Sequence, residues 1–413
     1  MIRRDLLRWA VHGSLAALGL AGARVERAFA ATRAKVPRQP TARGGSAALR
    51  LFLGGDVMTG RGIDQALPNP GEPQVAGLAE RSALDYVQLA EEANGPIPQP
   101  LDFAYLWGDA LEEMQRLAPA ARLVNLETSI TTSTDAWPDK AIHYRMQPAN
   151  TPCLLAARID GCCIANNHVL DFGYAGLQET LAALQQANIP CAGAGSNLHD
   201  AAAPAVIAAG QNRVLMFAAA TRTSGVPKEW AAQPGLAGVN RIELYHWFVR
   251  QLAERVQAAK QPGDVAVLSI HWGSNWGYEI DEEQRRFAHR VIDEAGIDLL
   301  HGHSSHHPRG IEIYRNKAIL YGCGDLINDY EGIRASYPEF RSALKLLYFP
   351  LLDPATGEIV RFEIVPMRMR RFRLQRATAD EAAWLAATLD RNSRRMGARA
   401  RLRDDGRIEV TVG

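Results

Sequence analysis

The sequence predicts an α/β protein of two packed β-sheets flanked by helices. Three features carry this. Strand-like apolar runs alternate with amphipathic helical stretches through the first part of the chain, adjacent strands follow with no helix between them, and several strands stop abruptly in carboxylate, amide or imidazole side chains. At 413 residues there is enough chain for one large domain or two smaller ones. A composition of 47% hydrophobic and 22% charged residues is that of an ordinary globular protein. The net charge of +1 gives no argument for nucleic acid as a partner, and no apolar run of membrane-spanning length follows the N-terminus.

The first residues read as an address. Arg3-Arg4-Asp5-Leu6-Leu7 has a twin-arginine arrangement, a weakly apolar Ala- and Gly-rich stretch follows, and Ala28-Phe29-Ala30 before Ala31 suits cleavage. Residues 1–31 are therefore expected to be a twin-arginine-type signal peptide, which puts the protein outside the cytoplasm, periplasmic or associated with the cell envelope. Residues 32–47 are basic, contain Pro and Gly and lack periodicity, as a flexible linker does. The five cysteines include no C-x-x-C pair. Buried small residues are the simplest reading, with one bridge from Cys191 to Cys162 or Cys163 left open.

The domain proper is expected over residues 48–367. Leu49 to Leu53 reads as a buried strand running into Gly54-Gly55-Asp56-Val57-Met58. In open α/β sheets ligands collect beyond the carboxyl ends of strands, which is where Asp56 stands. Residues 68–100 form a Pro- and Gly-rich excursion with a helical patch at 79–93. After an amphipathic stretch at 106–117, a second strand ends in Asn125-Leu126-Glu127, and a third leads into Asn166-Asn167-His168-Val169-Leu170-Asp171-Phe172-Gly173 and a helix over 177–187. A strand pair at 205–209 and 213–220 precedes a second excursion at 225–238 and a long helix predicted over 241–259. A strand then runs into His271, and a helix at 281–295 and a strand at 297–300 lead to the turn that starts at His301. Strand pairs at 311–314 with 318–321, and at 345–352 with 358–367 across a Pro- and Gly-containing turn, complete the domain.

Six of the 11 histidines fall between His271 and His307, and four of them, His301, His303, His306 and His307, share one glycine-containing turn behind a buried strand. Neutral imidazole is a common metal ligand near pH 7, and a strand that stops in such a turn can aim several ring nitrogens at one point. Asp56, Glu127, Asn167, His168, His271, His303 and His306 then stand at successive strand ends. Carboxylate, amide and imidazole ligands together suit divalent Mn, Fe or Zn. Two such ions about 3.5–4 Å apart can clamp both the attacking and the leaving oxygen of a displacement.

In this order the boxes resemble the calcineurin-like metallophosphoesterase superfamily, and more closely its CapA branch of poly-γ-glutamate capsule synthesis proteins. They are Gly55-Asp56-Val57-Met58, Asn125-Leu126-Glu127, Asn166 to Gly173, His271-Trp272-Gly273 and Gly302-His303-Ser304-Ser305-His306, with a further similar loop at 324–329. The resemblance implies an α/β/β/α sandwich and one or two divalent ions. It implies metal ligation by Asp56, Glu127 (bridging), Asn167, His271, His303 and His306. His168 would be the acid or transition-state group, oriented by Asp171. It further implies work on a capsule polymer, by hydrolysis of a phosphoester or amide bond in an anionic polymer or small substrate, beside an envelope polymer-synthesis machinery.

Departures from the wider superfamily are also legible. Met58 stands where an imidazole is usual, Glu127 where an Asp is usual, and the stretch after His271 is about four residues longer, which leaves Glu279 without a role. Met58 weakens the first ion's ligand set and supports a second reading, a non-catalytic scaffold with a relic of the metal box. A serine hydrolase built on Ser304 or Ser305 lacks a G-x-S-x-G elbow. Residues 368–413 are rich in arginine. They read either as a docking surface for an anionic polymer or lipid headgroups, with peripheral membrane association, or as a solvated face neutralised by Asp380, Glu381, Asp390, Asp404 and Asp405.

Overall fold

The fold comes from a computed structural model that describes residues 47–74, 82–333 and 337–413. The predicted signal peptide and all but the last residue of the predicted linker lie outside the described residues.

Two β-sheets face each other. The larger carries Leu49–Val57 at its centre, parallel to Ala121–Leu126 on one side and antiparallel to Leu344–Leu352 on the other, with the short strand Asp325–Ile327 also parallel to it. Gly161–Cys163 and Cys191–Ala192 continue the parallel half, and Ile359–Arg370 the antiparallel half. The second sheet has the parallel strands Asn212–Thr221, Val265–His271, Leu299–His303 and Lys317–Leu320 side by side.

Each parallel strand of the second sheet is apolar on both faces, as a sheet covered on both sides must be. The split is visible residue by residue. Val265, Val267 and Leu299 enter the core shared with the larger sheet. Ala266, Leu268, Ile270 and Leu300 enter a separate core under the helices His246–Ala259 and Glu282–Asp293, with Phe248, Leu252, Phe287 and Val291. Helices Ala110–Leu117, Gly173–Gln186 and Ala379–Ser393 bring Met114, Leu177, Leu184, Leu385 and Leu389 to the core of the larger sheet. This is the predicted sandwich of two sheets flanked by helices.

The alternation decides where the polar residues go. Counting by twos from Val265 and Leu299, Ser269, His271, His301 and His303 point inward between the sheets, at the carboxyl ends of their strands.

One expectation fails. The helix predicted from residue 241 starts at His246, because Arg241 and Ile242 pair as an edge strand with Ala220 and Thr221. Local pattern could not foresee a partner strand 21 residues upstream. The boundary drawn at 367 falls within the strand Ile359–Arg370. The hairpin Ala398–Leu402 with Ile408–Val412 joins the same sheet against that strand, within the compact unit Ser46–Gly413. Much of the arginine charge there is matched: Arg376 meets Glu112 and Glu113, Arg394 and Arg399 meet Asp390, and Arg403 and Arg407 meet Glu363. All five cysteines are free thiols. Among the described residues no helix is long and apolar enough to cross a membrane.

Gly55 illustrates how tightly the central strand is seated. A Cβ there would lie 1.7 Å from the Gly324 carbonyl oxygen, the same oxygen that accepts from the Asp56 amide at 3.0 Å. Gly55→Ala is therefore expected to push the 323–325 segment away from Asp56. The cost should be about 1–3 kcal/mol or more, as for other overpacked sites, read as a lower midpoint in urea unfolding.

Candidate metal centre

The strand ends bring eight predicted residues together. Asp56 is fully buried and sits where the strand register shifts on both sides, opposite Asn125 on one neighbour and Asp325 on the other. Such irregularities re-aim a side chain. Its Oδ1 accepts from Asn125 Nδ2 at 2.8 Å and its Oδ2 from the Ser304 amide at 3.2 Å. His271 and His303 are register neighbours on adjacent strands, and their Nδ1 atoms are 2.8 Å apart. Ligand atoms of Asp56, His271 and His303 lie within 4.8 Å of one another, and those of Asp56, His306 and Asp325 do so as well.

Hydrogen bonding assigns the tautomers at the first cluster. His301 Nε2 faces the Gly54 carbonyl at 2.9 Å, and a carbonyl only accepts, so Nε2 carries the proton and Nδ1 is a lone pair. Ser269 Oγ, 3.1 Å from that lone pair, must donate to it. The hydroxyl has one proton, so it accepts from His303 Nε2 at 3.0 Å. His303 Nδ1 is then a lone pair. His271 Nε2 faces Asn167 Oδ1 at 3.1 Å and Asn125 Nδ2 approaches His271 Nδ1 at 3.5 Å, which makes His271 Nδ1 a lone pair too. Burial holds both imidazoles well below their ordinary range, so no proton bridges them near neutrality.

Two buried lone pairs at 2.8 Å repel unless a cation lies between them. Both nitrogens, with a carboxylate oxygen of Asp56 close by, would be available to hold one divalent ion.

The carboxylates give the same answer. Burial, and then Asp325, push Asp56 up to about 7. Burial, and then Asp56 and Asp325, hold Glu127 well above the usual carboxylate range. Glu127 Oε1 lies 3.8 Å from His271 Nε2 and 3.7 Å from His168 Nε2. Asp56 and Glu127, buried together and both held above the usual carboxylate range, are a fit for a divalent ion.

His168 stands beside this cluster. Its Nδ1 faces Asp171 Oδ2 at 2.7 Å, to which it can only donate, with Lys140 Nζ also 3.0 Å from that nitrogen; Asp171 is held in turn by the Tyr144 amide at 2.6 Å and by Lys140 Nζ at 2.6 Å. Burial brings His168 down to about 4; Asp171 pulls it upward, and Lys140 works with burial. The ring is therefore neutral at pH 7, with Nε2 free toward Glu127. His306 Nδ1 bonds Asp325 Oδ1 at 2.8 Å, and its ring lies against Trp276, which also meets His307, Tyr337 and Phe340. These aromatic groups wall one side.

Residues 50–330 match the family model described as bacterial capsule synthesis protein PGA_cap. The chain belongs to that family. It is 48% identical over 370 residues to the "Probable polyglutamine synthesis accessory protein" of Mycobacterium tuberculosis (strain H37Rv), which covers 87% of this chain and 95% of that one. It is 29% identical over 229 residues to the PGA biosynthesis protein CapA of Bacillus subtilis, 55% of this chain and 56% of that one. Against the capsule biosynthesis protein CapA of Bacillus anthracis it is 23% identical over 283 residues, 68% of this chain and 60% of that one. The resemblance to the CapA family read from the five boxes therefore holds, and with it the association with capsule and polyglutamate synthesis.

Within this PGA_cap chain, residue reasoning missed several groups that the structure places at the centre. Asp325 falls in the stretch 324–329 that resembles a family loop, and it opens the short strand Asp325–Ile327. Asn125, two residues before Glu127, holds Asp56. Lys140 lies in a loop with no distinguishing pattern, and Lys345 is one charge inside an apolar strand. His301 ties Gly54 to Ser269, which in turn holds the His303 ring. Glu279 is exposed and lines a groove of about 980 Å³ with Arg391 and Arg395, away from the cluster.

Proposed function

We propose that this chain is an exported, metal-dependent hydrolase of capsule or poly-γ-glutamate synthesis or processing. On this reading Asp56, Glu127, Asn167, His271, His303 and His306 hold one or two divalent ions (Mn, Fe or Zn), and the bond cut is a phosphoester or an amide. The observation that carries the reading is the facing pair of imidazole lone pairs beside Asp56, a donor set that calls for a cation. A divalent ion there supplies Lewis acidity and makes water a competent nucleophile near neutral pH. The chain's own residues do the rest. Ser269 and His301 lock the His303 ring, Asn125 orients the Asp56 carboxylate, and Asp171 fixes the His168 tautomer so that Nε2 can exchange a proton with the reacting oxygen or nitrogen. Export is supported by the twin-arginine segment, and a place beside a polymer-synthesis machinery by the accessory role in the Mycobacterium relative's name.

The test compares wild type, His168→Ala and Asp56→Ala on phosphodiester and γ-glutamyl substrates, with metal content measured for each. His168→Ala should lower kcat by about 10²–10⁴ with its metal intact, as for loss of a general acid or base. Asp56→Ala should lose metal and activity together. A fully metal-loaded wild type that cuts neither substrate class would leave the scaffold reading standing, which the buried thioether at Met58 favours.

A further inference from the structure

The cluster of Asp56, His306 and Asp325 differs from its neighbour in holding a second carboxylate, Asp325, which the chain already engages with an imidazole and an amide. Asp325 Oδ1 is engaged by His306 Nδ1 at 2.8 Å, and Oδ2 accepts from Asn328 Nδ2 at 2.7 Å. Behind it, on the strand Leu344–Leu352, lies Lys345. It is fully buried, its Nζ makes no hydrogen bond, and it stands 3.8 Å from Asp325 Oδ2. A buried ammonium without hydrogen bonds is expensive and persists where it answers a local excess of negative charge. The excess here is three buried carboxylates, Asp56, Glu127 and Asp325. Of the lysine and arginine side chains nearby, Lys140 is committed to Asp171 and Arg61 to Asp329. Burial is the larger influence and leaves the Lys345 pKa below the ordinary lysine value, with Asp325, Asp56 and Glu331 opposing it.

Resting on the metal-centre reading above, we propose that the Lys345 ammonium takes the place of a second cation. The centre then holds one divalent ion, at Asp56, His271 and His303, while Lys345 occupies the charge position beside Asp325. One divalent ion and one ammonium balance the three carboxylates. A second ion next to His306 would meet a fixed positive charge behind Asp325, and would find at residue 58 a thioether, a poor ligand for hard divalent ions. Met58 and Lys345 then work in the same direction: one withholds a ligand from a second ion, and the other supplies the positive charge such an ion would bring.

The experiment is metal stoichiometry on the full chain. Protein is loaded with Zn²⁺ or Mn²⁺, freed of excess by gel filtration, and assayed for metal per chain by plasma mass spectrometry, with thermal unfolding to establish that each variant is folded. Wild type is expected to hold one ion, Lys345→Met two, and His271→Ala none. Two ions in wild type, or one in folded Lys345→Met, would overturn the role of Lys345 while leaving the metal centre in place. No ion in wild type would remove the metal-centre reading itself. Should Lys345→Met fail to fold, anomalous diffraction from Zn-loaded wild-type crystals decides: one peak among Asp56, His271 and His303 supports the proposal, and a second beside His306 refutes it.

Discussion

On the proposed hydrolase reading, His271→Ala is expected to abolish binding of a divalent ion and to lower hydrolytic turnover by about 10³-fold or more, since a bound ion would contribute several kcal/mol of transition-state stabilisation. The residue is a stringent probe because its two nitrogens serve different partners, Nδ1 facing His303 and Nε2 facing Asn167 and Glu127. Its removal opens the cluster from two sides. Fold should survive better than function. The site loses a pair of repelling lone pairs, and the strand Val265–His271 keeps its pairing on both sides through backbone groups that the substitution leaves alone. Metal content by plasma mass spectrometry and kcat on the better of the two substrate classes check the result. Unchanged metal content with lost turnover would place His271 outside the ligand set.

Arg61→Leu is expected to be the most destabilising single change near the centre, by about 3–5 kcal/mol, because it leaves the buried Asp329 carboxylate without its counter-charge. Arg61 is nearly inaccessible. It makes a two-pronged contact to both oxygens of Asp329, with Nε at 3.1 Å, and lies between the rings of Tyr86 and Tyr144, 3.9 and 4.1 Å from their centroids. The Gly62 amide is the other donor to that carboxylate. Urea unfolding gives the shift, and Asp329→Leu in the Arg61→Leu background should recover much of it, since removing both charges removes the uncompensated one. The cage also backs His168 and His306: Tyr144 meets the His168 ring edge-on and hydrogen-bonds Tyr330, which lies against His306. Loosening it should reach His168.

Much of the centre was readable because it obeys two local regularities. Strand residues alternate between faces, so once Val265 and Val267 are taken as core, Ser269 and His271 fall on the same side. Ligands in such sheets gather past the carboxyl ends of strands, so Asp56, Glu127, Asn167, His271 and His303 could be marked one strand at a time. Asp325 is the first residue of a strand too short to show a period, Asp325–Ile327, and it becomes part of the cluster only by pairing with Asp56. Lys345 is a single charge in an apolar run, and nothing within that run says which way the ammonium points or what it meets. The helix expected from residue 241 failed for a similar reason, as the edge of another strand claimed Arg241 and Ile242.

What the amino-acid order determined by itself was the layered α/β architecture, the family, and the identity of the side chains at the strand ends, because periodicity and the position of polar breaks are properties of neighbouring residues. Which nitrogens carry protons, how three carboxylates share one volume, and which cation stands behind Asp325 were decided only by the tertiary structure. Those are properties of distance between strands remote in the chain, and in a buried site the electrostatic energy depends on such distances far more than on sequence separation.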